Sequence, residues 1–107
     1  MRIDNRVWGN IIVVEPRGRL TVETARAFAQ NFARLLEAGH THFVLDLAGV
    51  PYMDSIGLGA IVRAHTFACG RGGELKLLNV EGRNRHLLSI TRLLTVLDTC
   101  ELDEKCG

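Results

Sequence analysis

The stretch Val50-Pro51-Tyr52-Met53-Asp54-Ser55-Ile56-Gly57-Leu58-Gly59-Ala60 follows the apolar run Phe43-Val44-Leu45-Asp46-Leu47 and precedes a helix-period pattern. It reads as strand, short loop and helix start, the repeating unit of an α/β fold. Ser55 therefore stands where the loop gives way to the helix. Gly57 and Gly59 leave little side-chain cover on that first turn. A small chemical change here, such as adding a phosphate, would alter the surface more than elsewhere in the chain.

The flanks repeat the alternation. After Ser55, residues Ile56, Ala60, Ile61, Ala64, Phe67 and Ala68 fall on one side of a helix, which Gly70, Gly72 and Gly73 end. Residues 74–80 carry Leu75, Leu77, Leu78 and Val80 and predict a strand. A third helix from about Arg83 carries Leu87, Leu88 and Ile90, and Val96 and Leu97 suggest a last short strand. On the other side, residues 42–47 predict a strand. Before it, Val22, Ala25, Phe28, Ala29, Phe32, Leu35 and Leu36 recur at three- and four-residue steps. Thr21 is the expected N-cap of that helix, Glu23 complements its dipole, and Gly39 marks its end. At the start, Gly9-Asn10 between Arg6-Val7-Trp8 and Ile11-Ile12-Val13-Val14-Glu15-Pro16 predicts a tight hairpin, with Pro16 and Gly18 stopping its second strand.

The order β-β-α-β-α-β-α, with a possible final strand, predicts one α/β domain over residues 1–107. Its mixed sheet has four to five strands covered by three to four helices. The ordered core is expected over 4–102, with 103–107 a frayed tail.

A chain of 107 residues buries roughly two-thirds of its unfolded surface and holds a core without disulfides or metal. The net charge of +1 gives no global electrostatic case for nucleic acid. The densest basic stretch, Arg83, Arg85, His86 and Arg92, reads as a solvated helix face plus a C-terminal basic residue. Cys69, Cys100 and Cys106 are odd in number and form no C-x-x-C. Cys69 is expected to pack near a helix end, and the other two to be plain thiols near the terminus. With no apolar segment near the roughly 20 residues of a membrane span, a protein of the reducing cytoplasm is expected.

Ser55 has three readings. As an N-cap, its hydroxyl would accept a bond from a first-turn N–H. As a hydrolase nucleophile it would need a base, an oxyanion hole and usually G-x-S-x-G. Met53 stands two residues before it, and no histidine has a clear role as base. As a phosphoacceptor it would gain about −1.5 to −2 charges, which a helix N-terminus tolerates. A partner docking on this turn would meet new bulk and charge beside Asp54, and a hundredfold affinity loss needs only about 2.8 kcal/mol.

Other candidates rank lower. His40 and His42 have an H-x-H spacing with no third ligand, and His65 and His86 read as surface residues. Gly70-x-Gly72-Gly73 lacks a lysine and precedes a strand, so it reads as a turn. Thr91 reads as a helix-end threonine.

The segment from Phe43 to Ala60 resembles the signature of STAS domains, and specifically of bacterial anti-sigma-factor antagonists. The resemblance rests on Leu45-Asp46-Leu47, then Tyr52-Met53, then Asp54-Ser55-Ile56-Gly57-Leu58-Gly59. It extends to Gly72-Gly73-Glu74-Leu75-Lys76-Leu77-Leu78-Asn79-Val80 and Leu87-Leu88-Ser89-Ile90-Thr91. It implies a binding protein rather than an enzyme, with no cofactor, no metal, no direct contact with nucleic acid and no membrane span.

In the family, the matching serine is phosphorylated by a partner that is both serine kinase and anti-sigma factor. The unphosphorylated antagonist binds that partner and frees a sigma factor, and a phosphoserine phosphatase restores binding. The resemblance thus assigns the switch to Ser55. It assigns the docking border to Asp54, Ile56, Gly57, Leu58 and Gly59, with Arg19, Leu20 and Thr21 beside it. Many relatives have aspartate where this chain has Thr21, and glycine where it has Arg92. The alternatives are a STAS scaffold in a transport or stress complex, with Ser55 only a helix cap, and a small hydrolase using Ser55.

Overall fold

Gly9 takes a φ of +62°, which lets the chain reverse between β1 (Arg2–Trp8) and β2 (Ile11–Arg17). The two strands pair antiparallel from Trp8 opposite Ile11 to Arg2 opposite Arg17. Pro16 does not stop β2. Pairing with β1 continues to Arg17, whereas pairing with the next strand ends at Val14. A residue without an N–H is tolerated where only one side of the strand is still paired.

The computed structural model describes residues 1–90 and 98–100. The expectations for Thr91, Arg92, Val96, Leu97, Cys106 and the tail 103–107 lie outside the described residues. Beyond the hairpin the chain builds α1 (Ala25–Glu37), β3 (His42–Asp46), α2 (Ser55–Gly70), β4 (Glu74–Leu78), α3 (Gly82–Ile90) and β5 (Asp98–Cys100). The five described strands form one mixed sheet in the order β1-β2-β3-β4-β5, with every pairing after the hairpin parallel. Parallel neighbours need a crossover, and α1 and α2 supply it between β2, β3 and β4.

Ile12 and Val14 of β2, Phe43 and Leu45 of β3, and Leu75 and Leu77 of β4 alternate onto one sheet face. They join Phe28, Phe32 and Leu36 of α1 and Leu58, Ile61, Ala64 and Ala68 of α2 in a single core. The Phe28, Phe32 and Phe43 rings pack in sequence, with centroids 5.0 and 5.1 Å apart. Val44 is also buried, so the central strand is covered more fully than a one-faced strand would be.

Two helices differ from their expected patterns. α1 begins at Ala25, not at Thr21, and Thr24 occupies the N-cap position. Residues 21–24 instead form a turn, closed by bonds from the Thr24 and Ala25 amides to the Thr21 carbonyl (3.0 and 2.8 Å). Val22 consequently leaves the apolar face and is 65% exposed. Buried Asn31 interrupts that face, yet its amide exchanges two hydrogen bonds with Asn5 of β1 (2.9 and 3.0 Å). Reciprocal pairing removes most of the cost of burying an amide.

α2 buries Gly57, Leu58, Ile61, Ala64 and Ala68, leaving Ile56 and Phe67 more than half exposed. The helix is apolar nearly all round, so periodicity alone does not select its buried side. Cys69 in its last turn is exposed, not packed.

Candidate functional site

The loop between β3 and α2 is held by one local hydrogen bond and by bonds from residues distant in sequence. The Asp46 carboxylate accepts from the Ala48 amide and from the Asn79 side chain, both at 2.9 Å. The latter bond joins the ends of β3 and β4. The Asn84 side chain of α3 donates to the Val50 carbonyl at 2.7 Å. The chain then runs beside the β2–α1 loop, where Leu20 and Met53 form a parallel bridge. The Leu20 amide donates to the Tyr52 carbonyl (2.9 Å), and the Asp54 amide donates to the Leu20 carbonyl (3.2 Å). Two loops far apart in sequence thus become one surface. Arg19 and Thr21 belong to it through Thr24, whose hydroxyl donates to the Arg19 carbonyl and accepts from the Thr21 amide.

The residue that caps α2 is Asp54. Its backbone is extended (φ −106°, ψ −175°), and its Oδ1 accepts the Gly57 amide at 2.9 Å. Its Oδ2 accepts the Val22 amide at 3.3 Å, so one carboxylate fastens both the helix and the neighbouring loop. The Gly57 N–H, foremost among several backbone donors, holds this carboxyl below the usual carboxylate range against a smaller desolvation effect. A fixed negative charge therefore sits next to Ser55.

Ser55 is consequently not a helix cap, which corrects the first reading of that residue. It is the first residue of α2 and exposed, and its hydroxyl makes no hydrogen bond among the described residues. Two adjacent residues could each cap, and the carboxylate is the one that also reaches Val22.

The other predicted positions separate by depth. Arg19, Ile56 and Gly59 are exposed, while Thr21 and Asp54 are half-buried. Leu20, Gly57 and Leu58 lie beneath the surface and support it. Gly57 is required by proximity, because a Cβ there would overlap the Leu20 carbonyl. At Gly59 a Cβ would meet nothing within 4 Å.

Sequence reading missed two features. Tyr52 lies under two guanidinium groups, Arg19 at 5.1 Å and Arg83 at 4.6 Å from its ring centroid. Arg83 is thus engaged with the site loop and is not merely a solvated helix charge. Beside Ser55 there is also an open cleft of about 390 Å³ between α1 and α2, bordered by Arg26 and Arg63. The spacing Ser55, Gly59, Arg63 was legible as one helical stripe, but Arg26 joins it only in the folded chain.

The hydrolase reading gains no support, since the residues lining the cleft beside Ser55 include no histidine. His40 and His42 are half-buried, and His42 Nδ1 lies 3.0 Å from the Thr41 hydroxyl. No group of three potential metal-binding side chains occurs among the described residues. Nor is any described helix long and apolar enough to cross a membrane.

The STAS domain family model matches residues 2–105. The chain is 33% identical over 98 residues to the anti-sigma-B factor antagonist of Bacillus subtilis, spanning 92% of this chain and 89% of that one. Its fold is similar to the crystal structure of an anti-sigma factor antagonist from Mycobacterium paratuberculosis, with TM-score 0.86 and 17% identity over 98% and 89% of the two chains. It is also similar to the Bacillus cell fate determinant SpoIIAA in its phosphorylated form, with TM-score 0.75 and 17% identity over 97% and 94%. With its fold, its Asp54-capped helix and these relatives together, this chain belongs to the STAS domain family and is a relative of its anti-sigma factor antagonists.

Proposed function

We propose that this protein is a phosphorylation-switched antagonist of an anti-sigma factor, acting in the cytoplasm as a binding module and not as an enzyme. The observation that carries the reading is the division of labour between Asp54 and Ser55. Asp54 caps the helix, which leaves the Ser55 hydroxyl exposed and uncommitted. Its modification therefore need not disturb the fold.

Unmodified, the surface of Arg19, Thr21, Asp54, Ile56 and Gly59, supported by Leu20, Gly57 and Leu58, binds an anti-sigma factor that is also a serine kinase. That complex releases the sigma factor. The kinase then transfers the γ-phosphoryl group of its ATP to Ser55. The Oγ–P bond forms, the bond to ADP breaks, and the hydroxyl proton passes to a base on the kinase. The added charge beside ionised Asp54 expels the partner, and a phosphoserine phosphatase resets the switch by hydrolysis. Support comes from the 33% identity to the Bacillus subtilis antagonist and from the likeness to a STAS fold whose structure is phosphorylated.

A pull-down from native lysate with unmodified protein, followed by ATP addition and phosphosite mapping, tests this reading. Recovery of a small ATP-binding kinase with phosphate on Ser55 is expected. Recovery of transporter or scaffold subunits, with Ser55 unmodified, would contradict it.

A further inference from the structure

Ser55, Gly59 and Arg63 are spaced i, i+4 and i+8 along α2 and share one helical stripe. All three line the cleft between α1 and α2, which Arg26 of α1 borders from the opposite side. Arg63 stands about 12 Å along the helix axis from Ser55, about two turns, and borders the same cleft. Gly59 interposes no side chain. Packing does not explain a glycine at this position, because a Cβ would stand in open space. Both arginines are exposed, and neither makes an ion pair or a hydrogen bond among the described residues. Arg71, farther along the groove, is by contrast already committed to the Leu36 carbonyl at 3.0 Å.

We infer that Arg26 and Arg63 form a receiving site for the phosphate monoester on Ser55, with Gly59 as the gap that admits it. The inference deepens the proposed switch and rests on Ser55 being the modified residue. A guanidinium presents forked donors suited to phosphate oxygens, and two of them offset the charge that Asp54 opposes. The phosphate then does more than charge the rim. It draws α1 and α2 side chains together over the cleft, so a partner loses the opening between the helices along with the bare serine. Apart from Ile56, the remaining lining residues, Ala25, Ala29 and Ala60, are small.

The test uses protein carrying phosphoserine installed at position 55 during translation, so it needs no kinase and is independent of whether the partner reading holds. The phosphate is titrated by phosphorus NMR in the parent protein, in Arg26→Ala, in Arg63→Ala and in the double variant. A free phosphoserine has a second pKa of about 6, and a phosphate held by cations titrates below that. The expected result is a depressed value in the parent and a rise toward about 6 in the double variant. A double variant that titrates as the parent does would overturn the site. Because both arginines are exposed, folding of the variants is not at risk, and amide spectra verify it. Failure of the switch would appear instead as an unmodified Ser55 in the kinase reaction, with this titration unaffected.

Discussion

Gly57 and Gly59 lie two residues apart on the first turns of α2, yet the fold uses them in opposite ways. Gly57 faces inward, where the Leu20 carbonyl occupies the space a Cβ would need. Gly59 faces outward, beside Ser55 and above an open cleft. One glycine lets two loops approach closely enough to share a β-bridge, and the other keeps the surface bare. A short motif is thus two devices interleaved at helical spacing: a clamp in which half-buried Asp54 holds buried Gly57, and an exposed face at 55, 56 and 59. A change to the clamp should be read as lost stability, and a change to the face as altered binding.

The sharpest way to break this contrast is Gly57→Ala. Its methyl group meets backbone rather than a movable side chain, so a loss of about 3 kcal/mol is expected, measured by urea denaturation. A variant as stable as the parent would show that the Leu20 loop yields freely and that the clamp is not rigid. Gly59→Ala should go the other way, gaining up to about 1 kcal/mol by removing a glycine from a helix with room for the methyl. Destabilisation there would refute the open-face assignment.

Asp54→Asn probes the charge of the clamp while keeping an acceptor. The native carboxyl titrates below its ordinary value, so it contributes stability above the unfolded pKa. That contribution is lost as pH falls through the lowered native value. The parent's advantage over Asp54→Asn should therefore be flat at neutral pH and shrink from about pH 4 downward. An advantage that grows on acidification would reverse the sign and contradict the assignment. The smallest effect belongs to Ser55→Ala, expected within about 0.5 kcal/mol of the parent because the hydroxyl holds nothing. A larger loss in thermal unfolding would restore Ser55 as a structural residue.

The same contrast explains what could be read from the chain in advance. β2 and β4 were legible from period-two alternation, β3 from its short apolar run, and the hairpin from the Gly9-Asn10 turn, all local signals. The start of α2 was legible to within a residue, but which of Asp54 and Ser55 caps it was not. Either side chain can accept an amide bond, and only tertiary contact with Val22 favours Asp54. Thr21 and Thr24 pose a related ambiguity at α1, where Thr24 takes the N-cap position without a side-chain cap bond, its hydroxyl being turned to the Thr21 amide and the Arg19 carbonyl. Periodicity groups Ile56 and Phe67 with Ile61 and Ala64, yet both are exposed, because α2 is apolar nearly all round and its pattern does not single out the buried side. The Asn5–Asn31 pair, the stacking of Arg19 and Arg83 on Tyr52, and the cleft shared by Arg26 and Arg63 depend on long-range juxtaposition. No periodicity encodes them.

The most direct test of the central claim is a calorimetric titration of the ATP-binding partner against unmodified and Ser55-phosphorylated protein. Ser55→Asp serves as a weaker imitation of the phosphate. The account predicts at least about a hundredfold lower affinity for the phosphorylated form, equivalent to about 2.8 kcal/mol, with Ser55→Asp in between. Equal affinity for all three forms would contradict a switch at Ser55.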